Sequence, residues 1–534
     1  MKRYEIFQGV YIHTPFCLQK CLYCDFPSYA GFSADVRKRY VAALCREIVC
    51  RSNHPEATGE IGHLTNAKRV NEDSNLSALG HAIKGTGTED VMGNFRLEGE
   101  KKGADATVAA ENATIYFGGG TPTTLSPTQI GRIVHCLKEN GWWKEPAEAT
   151  IEVNPGTVTK ADLVQLRQIG FDRISFGVQS FQGAELKALG RIHTVQQAKE
   201  AVRWAKDAGF SRINIDLMSS IPGQTAASWQ ATLAQALRLD TEHISAYSLI
   251  LEAGTPLDAL VARGQTVLPT EDETLRMYEM TTYILEENGL RRYEISNYAR
   301  PGCESRHNLV YWHYEPYMAF GVGACTFTGQ VRYTNTMDVE TYLQYWENAE
   351  RGYAEPVREE NGLPLTQENV TFDDSQNLTI GNLSCRGAKT SMPDSGAASA
   401  QKQGTEATVK TFRETEPLSP EVQLAEAIIM GLRLTEGISL SEMQERFGVD
   451  ILTQFGRELA PFSKKRCLPD RGIAYALPLM VCASAIKCLR HLYHKPSDNA
   501  VDRINLEQSN YNLRSFGLSH HDSQRTHKFL PFDY

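Results

Sequence analysis

The chain has 534 residues, a formal net charge of −9 and 41% hydrophobic residues, so it is too long for one ordinary domain and apolar enough for a real core. The negative balance argues against a general affinity for nucleic acid, which requires clustered Lys and Arg. No apolar run approaches the ~20 residues of a membrane-spanning helix. Glu5 and Gln8 interrupt the N-terminal MKRYEIFQGVYIH, which therefore reads as no secretory signal and predicts a cytoplasmic address.

In chain order, short β-rich runs alternate with stretches of helical period. VYIH (Val10–His13) precedes a group of cysteines, and Ala34–Val49 follows as a helix. TIYF (Thr114–Phe117) leads into GGGTP and a helix over Pro127–Glu139. TIEV (Thr150–Val153), RISFGVQ (Arg173–Gln179), RINIDLM (Arg212–Met218) and HISAYSL (His243–Leu249) continue the strands, with helices predicted over Lys160–Ile169, Val195–Ala208 and Ser228–Leu239. Alternating βα units imply a parallel sheet with its helices outside. Six strands suit either a doubly wound sheet or part of a barrel. Chemistry-bearing residues at strand C-terminal ends favour a partial (β/α)6 barrel, whose catalytic rim lies there.

Two polar stretches break this order. Residues 51–112 contain one aromatic, Phe95, and 355–416 centre on SMPDSGAASAQKQGTEAT. Neither can bury enough apolar surface to offset ordering entropy, so both are expected as surface insertions, largely disordered. The barrel and its extension are thus expected over 4–345. A mostly helical, winged-helix-like accessory module follows over 417–494, opened by PEVQLAEAIIMGLRL and the S-x-x-E pattern of Ser439–Glu442, with a polar tail over 495–534.

The stretch TPFCLQKCLYCDF places Cys17, Cys21 and Cys24 in a C-x3-C-x2-C spacing. A structural zinc site normally takes four ligands, and a complete iron–sulfur cubane usually takes four cysteines. Three thiolates leave one metal position open for cofactor or substrate chemistry; three packed thiols near a turn are the structural alternative. The other nine of the 12 cysteines show no tight spacing and read as small buried hydrophobes. The run YFGGGTPTTL (Tyr116–Leu125) permits a backbone approach that any Cβ would block.

YIHTPFCLQKCLYCDF resembles the signature of the radical S-adenosylmethionine (SAM) enzymes. The resemblance implies a [4Fe–4S] cluster on Cys17, Cys21 and Cys24 whose open iron chelates SAM. It also implies an electron donor and reductive cleavage of the sulfonium to a 5′-deoxyadenosyl radical. Tyr23 resembles the family aromatic near the adenine, and Gly119, Gly120 and Thr121 resemble the strand end that binds the methionine moiety. Tyr11, Glu152, Gln179, Arg191 and Asp216 match further SAM-binding positions of the coproporphyrinogen dehydrogenase and HemW group. Carboxylates suit ribose hydroxyls and amino groups, and Arg191 suits a carboxylate.

Within that group the dehydrogenases carry a further cysteine two residues after the third, where this chain has Phe26. CDF and the HNxxYW element of SRHNLVYW resemble the HemW-type heme chaperones, which implies heme binding and transfer to acceptor proteins. His307, Asn308, Tyr311 and Trp312 are then heme candidates, since an imidazole can ligate iron and aromatics can pack on a porphyrin face. The alternative is an oxygen-independent coproporphyrinogen III oxidase.

Overall fold

A computed structural model describes residues 7–53, 109–349, 370–372, 378–380 and 412–454. Six strands follow one another: β1 (Phe7–Thr14), β2 (Ala109–Gly119), β3 (Ala149–Val153), β4 (Arg173–Gln179), β5 (Arg212–Ser219) and β6 (His243–Ser248). Each pairs in parallel with its sequence neighbours, so the strand order never reverses. A doubly wound sheet requires such a reversal. The sequential order is that of an unclosed partial barrel.

Apolar spacing builds the helices around it. α1 (Ala34–Asn53) connects β1 towards β2, and α2 (Pro127–Glu139) connects β2 to β3. α2 buries Ile130, Ile133, Val134 and Leu137, one stripe of a 3.6-residue period. Capping boxes on Ser126 and Thr159 start α2 and α3 (Lys160–Ile169). The short α4 (Gly183–Ala188), α5 (Val195–Asp207) and α6 (Ala226–Leu237) complete the crossovers to β6. Val10, Ile12, Ile115, Phe117, Ile151 and Ile174 are fully buried between the strands' two covered faces.

The sheet does not close. Past β6, two further helices (Pro256–Ala262, Glu271–Glu287) lead to short antiparallel strands at Arg291–Arg292 and Asn297–Ala299. The segment Tyr317–Phe320 returns to pair in parallel with the free side of β1. Cys325–Phe327, Val331–Asn335 and Arg413–Pro417 extend that edge antiparallel.

The described residues trim the edges of the expected insertions. α1 runs to Asn53 with Arg51 buried, β2 begins at Ala109, and Arg413–Glu416 belong to a paired strand rather than to a loop. Polar composition concealed these edges because the buried Arg51 and the half-buried Arg413 are used as internal cations. Both meet Glu47, which is fully buried: Arg51 Nη2 donates to Glu47 Oε1 at 2.5 Å, and Arg413 lies at 3.8 Å. Asn335 (2.8 Å), Tyr342 (2.6 Å) and the Gly321 amide (2.9 Å) also donate to Glu47. Val370–Phe372 and Leu378–Ile380 pair antiparallel in a separate compact unit. The rest of the two insertions and residues 455–534, including the tail, lie outside the described residues.

After the last sheet strand, Pro420–Gly431 and Leu440–Phe447 form two helices. Leu424, Ile428, Leu432 and Met443 pack with Tyr311, Trp312, Tyr314 and Phe327. The accessory segment thereby closes over the element that carries HNxxYW.

Glu47→Ala should destabilise the chain by ~3–5 kcal/mol, because it strands buried cations without their partner. Equilibrium denaturation with urea measures this, and a midpoint equal to wild type would contradict it.

Candidate functional site

The C-terminal ends of β1–β6 surround a cavity of ≈ 520 Å³. Cys17, Cys21 and Cys24 line it, as do Tyr11, Tyr23, Gly119, Gly120, Thr121, Glu152, Gln179, Arg191 and Asp216. The spread of these residues over five strand ends is why no local stretch of sequence displays the site.

The cysteine loop is pinned on two sides. On one, the Gly120 amide donates to Thr14 O at 2.8 Å. A Cβ at Gly120 would stand 2.7 Å from Phe16 O and 3.1 Å from Cys17 Sγ. Gly119 has φ +108°, and a Cβ there would meet His13 Cε1 at 2.6 Å. The glycines of YFGGGTP are thus required first by the cysteine loop itself. On the other side, Leu22 N–H donates to Leu189 O (3.0 Å), and Gln19 Nε2 to Gly190 O (3.1 Å).

Polar side chains then link the loop to the strand ends. Arg191 Nη1 donates to Cys21 Sγ at 3.3 Å, and Nη2 donates to Asn154 Oδ1 at 2.6 Å and to Gly177 O. Asn154 Nδ2 in turn donates to Thr121 Oγ1 at 2.6 Å, which stands 3.7 Å from Cys17 Sγ. Arg191 therefore braces the cysteine loop through both terminal nitrogens, while its buried Nε finds no acceptor within the protein. Burial pushes the Cys17 and Cys24 thiols up, with hydrogen bonds from Thr121 and Ser28 opposing it at Cys17. Ligation of a metal centre must displace those protons.

His13 orients the loop. Its Nε2 is 3.1 Å from Pro27 O and its Nδ1 3.1 Å from the Tyr11 hydroxyl. Burial lowers its pKa to about 4, so the ring is neutral.

The cavity floor is polar and largely satisfied. Tyr116 OH donates to Glu152 Oε1 at 2.7 Å. Asn214 Nδ2 donates to Asp216 Oδ1 at 2.6 Å, and Ser175 Oγ lies 3.2 Å from Oδ2. Burial raises the Asp216 carboxyl, against hydrogen bonds from Tyr247, Ser245 and Asn214. Gln179 differs. It sits at φ +68° where the β4–β5 register shifts, and its buried Oε1 accepts no hydrogen bond within the protein. Such an orphaned acceptor on a cavity wall calls for a donor from a ligand.

The chemistry of the donor set fits the implied cofactors: three thiols on one wall, an unpaired amide oxygen and two carboxylates. Among the described residues no three His, Cys, Asp or Glu side chains converge closely enough to hold a metal ion, so the three thiols must draw together around a cluster.

The heme candidates do not join this site. His307 and Tyr311 lie in the helix Arg306–Trp312, beneath the opposite ends of the strands. His307 is 0% exposed, with Nδ1 2.7 Å from Thr114 Oγ1 and Nε2 2.8 Å from Tyr311 OH. Its ring stacks on Tyr116 at 4.9 Å, and burial lowers its pKa to about 3. Trp312 is 4% exposed and lies under the Arg433 guanidinium at 4.2 Å. Asn308 is half-buried, and its backbone N–H donates to Ser305 Oγ in the helix cap. With both ring nitrogens taken, His307 offers no lone pair to iron in this fold. HNxxYW plugs the barrel floor.

Sequence reasoning passed over Asn154, Tyr116 and Tyr247. Asn154 and Tyr116 were visible in TIEVNPGT and YFGGGTP, but their role is to hold side chains of other strands.

The sequential parallel barrel with three cysteines at its rim defines a radical SAM protein. The Radical SAM superfamily matches residues 97–236, and the HemN C-terminal domain matches residues 418–473. Membership in that superfamily implies SAM and a [4Fe–4S] cluster. Relatives named heme chaperone HemW resemble the chain along much of its length. The Bacillus subtilis protein is 28% identical over 462 residues, covering 86% of this chain and 92% of the relative. The Escherichia coli protein is 32% identical over 317 residues, covering 59% of this chain and 69% of the relative. In fold, the chain is similar to the coproporphyrinogen III oxidase HemN of Escherichia coli, titled a radical SAM enzyme, with a TM-score of 0.61, 18% identity and 91% of each chain covered. The chain belongs to the HemW family.

Gly120→Ala should force the Cys17 segment aside, at ~1–3 kcal/mol of overpacking. Iron and sulfide bound after anaerobic reconstitution should fall at least severalfold while far-ultraviolet circular dichroism is retained. Full cluster content in this variant would contradict the tight approach.

Proposed function

We propose that this protein is a heme chaperone: it binds heme and passes it to acceptor proteins, in the cytoplasm, with a SAM-ligated [4Fe–4S] cluster. One observation carries the reading. All three cysteines and every position assigned to SAM open onto a single cavity, in a chain whose relatives are named heme chaperones. A volume of ≈ 520 Å³ suits one small ligand.

In this reading Cys17, Cys21 and Cys24 hold the cluster, and Gly119, Gly120 and Thr121 border the methionine end of SAM. Glu152 and Asp216 accept hydrogen bonds from its hydroxyl or amino groups, Gln179 Oε1 accepts another, and Tyr11 and Tyr23 wall the nucleoside. Arg191 positions the cluster loop through Cys21. A cluster held by Cys17, Cys21 and Cys24 would supply the reducing electron for the sulfonium; the chain's own residues bind, orient and exclude water.

Heme is held away from His307. Among the cavity-lining residues Ile250 (40% exposed) and Met337 (37%) present apolar surface, and Lys20 lines the same cavity. An apolar rim of this kind covers a porphyrin face, with a cation for a propionate. No described helix is long and apolar enough to cross a membrane.

Heme titration of the reconstituted protein, followed in the Soret band, should saturate. His307→Ala should leave the Soret position and affinity unchanged while lowering stability by ~2–4 kcal/mol, through the cavity and the orphaned Thr114 and Tyr311 hydroxyls. A shifted or lost Soret band in a folded His307→Ala protein would restore His307 as a ligand. Absence of saturable binding in wild type, or decarboxylation of coproporphyrinogen III, would overturn the chaperone reading.

A further inference from the structure

Two thiols outside the cavity stand where oxidation can join them. Cys45 on α1 and Cys136 on α2 lie on neighbouring helices packed against each other. Cys136 Sγ is 3.4 Å from Cys45 O, the two thiols are hydrogen-bond partners, and both are half-buried. Arg132 hydrogen-bonds the Cys45 thiol, and Arg46 adds a second positive charge. A thiol in an electropositive, partly accessible place beside a second thiol is the arrangement of a redox-sensitive cysteine and its resolving partner.

The environment also divides the roles. The Cys136 hydrogen bond, with the two arginines, holds the Cys45 thiol below the ordinary cysteine value against the effect of burial. The same hydrogen bond, with burial, drives Cys136 upward. Cys45 therefore ionises more readily than Cys136 and is the attacking thiol, with Cys136 the resolving one.

We propose that Cys45 and Cys136 form a reversible disulfide, with hydrogen peroxide as the oxidant, that staples α1 to α2. The Cys45 thiolate attacks one peroxide oxygen, the O–O bond breaks, and the departing hydroxide takes a proton to become water. This leaves a sulfenic acid on Cys45. Cys136 sulfur then attacks Cys45 sulfur; the S–O bond breaks, and the hydroxyl leaves as water with the Cys136 proton. Two thiols lose two electrons and two protons in total, and one peroxide becomes two waters. The helices so joined follow directly on the two segments that build the cavity rim, the cysteine loop and the glycine-rich end of β2. The modification therefore acts behind the metal centre without using its ligands.

The test is peptide mapping of the full-length protein, purified under argon and treated with about one equivalent of hydrogen peroxide. Free thiols are blocked with N-ethylmaleimide before tryptic digestion without reductant. Cleavage at Arg39, Arg46, Arg132 and Lys138 releases Tyr40–Arg46 and Ile133–Lys138, each containing one cysteine. Oxidation should convert both from singly alkylated peptides to one linked species, which dithiothreitol abolishes. Cys136→Ser should lose the link and accumulate a dimedone-reactive sulfenic acid on Cys45, whereas Cys45→Ser should leave Cys136 alkylated. Both peptides remaining singly alkylated after peroxide, or linkage of either to another cysteine, would overturn the proposal.

Discussion

The close approach of the glycine end of β2 to the cysteine loop is the constraint on which the site depends. Gly120 N–H meets Thr14 O at 2.8 Å, and there is no room for a Cβ beside Phe16 O and Cys17 Sγ. Three cysteines on a mobile loop would be an invitation to indiscriminate metal binding or oxidation. Held between β2 on one side and the Leu189–Gly190 turn on the other, they are presented on one wall of a cavity. Arg191 and Asn154 extend that bracing by tying Cys21, Thr121 and Gly177 together. Substitutions in this set therefore act on the geometry of the thiols before they act on any ligand.

The two ends of the barrel use similar residue types for opposite purposes. At the C-terminal rim, Gln179 keeps a buried oxygen without a protein partner, and Asp216 and Glu152 face the cavity. At the floor, His307, Thr114 and Tyr311 satisfy one another, and Glu148 accepts from the Arg306 and His307 amides at 3.2 Å each. Satisfied polar groups rigidify a core, whereas unsatisfied ones on a cavity wall await a ligand. The C-terminal helices seal the floor through Trp312 and its Arg433 cover.

The periodic elements were legible in the sequence because burial on one helix stripe, or between two covered faces, leaves a local pattern. The limits of Pro127–Glu139, Lys160–Ile169 and Arg173–Gln179 were readable from the sequence as they stand in the fold. The positions singled out around the cysteines do share one cavity, since strand C-terminal ends converge in a parallel barrel. What the sequence hid was tertiary. Nothing local says that Arg413 and Arg51 meet one buried Glu47, that Asn154 bridges two strand ends, or which side of the barrel His307 enters. HNxxYW reads equally as an iron-binding element and as a packed plug until the partners of its imidazole are known.

The most direct measurement is electron paramagnetic resonance of the reconstituted, dithionite-reduced protein before and after addition of SAM. A three-cysteine [4Fe–4S] cluster with one open iron predicts a reduced-cluster signal whose g-values change when SAM is added. Zinc in place of iron, or a reduced-cluster spectrum indifferent to SAM, would contradict the assignment of this cavity.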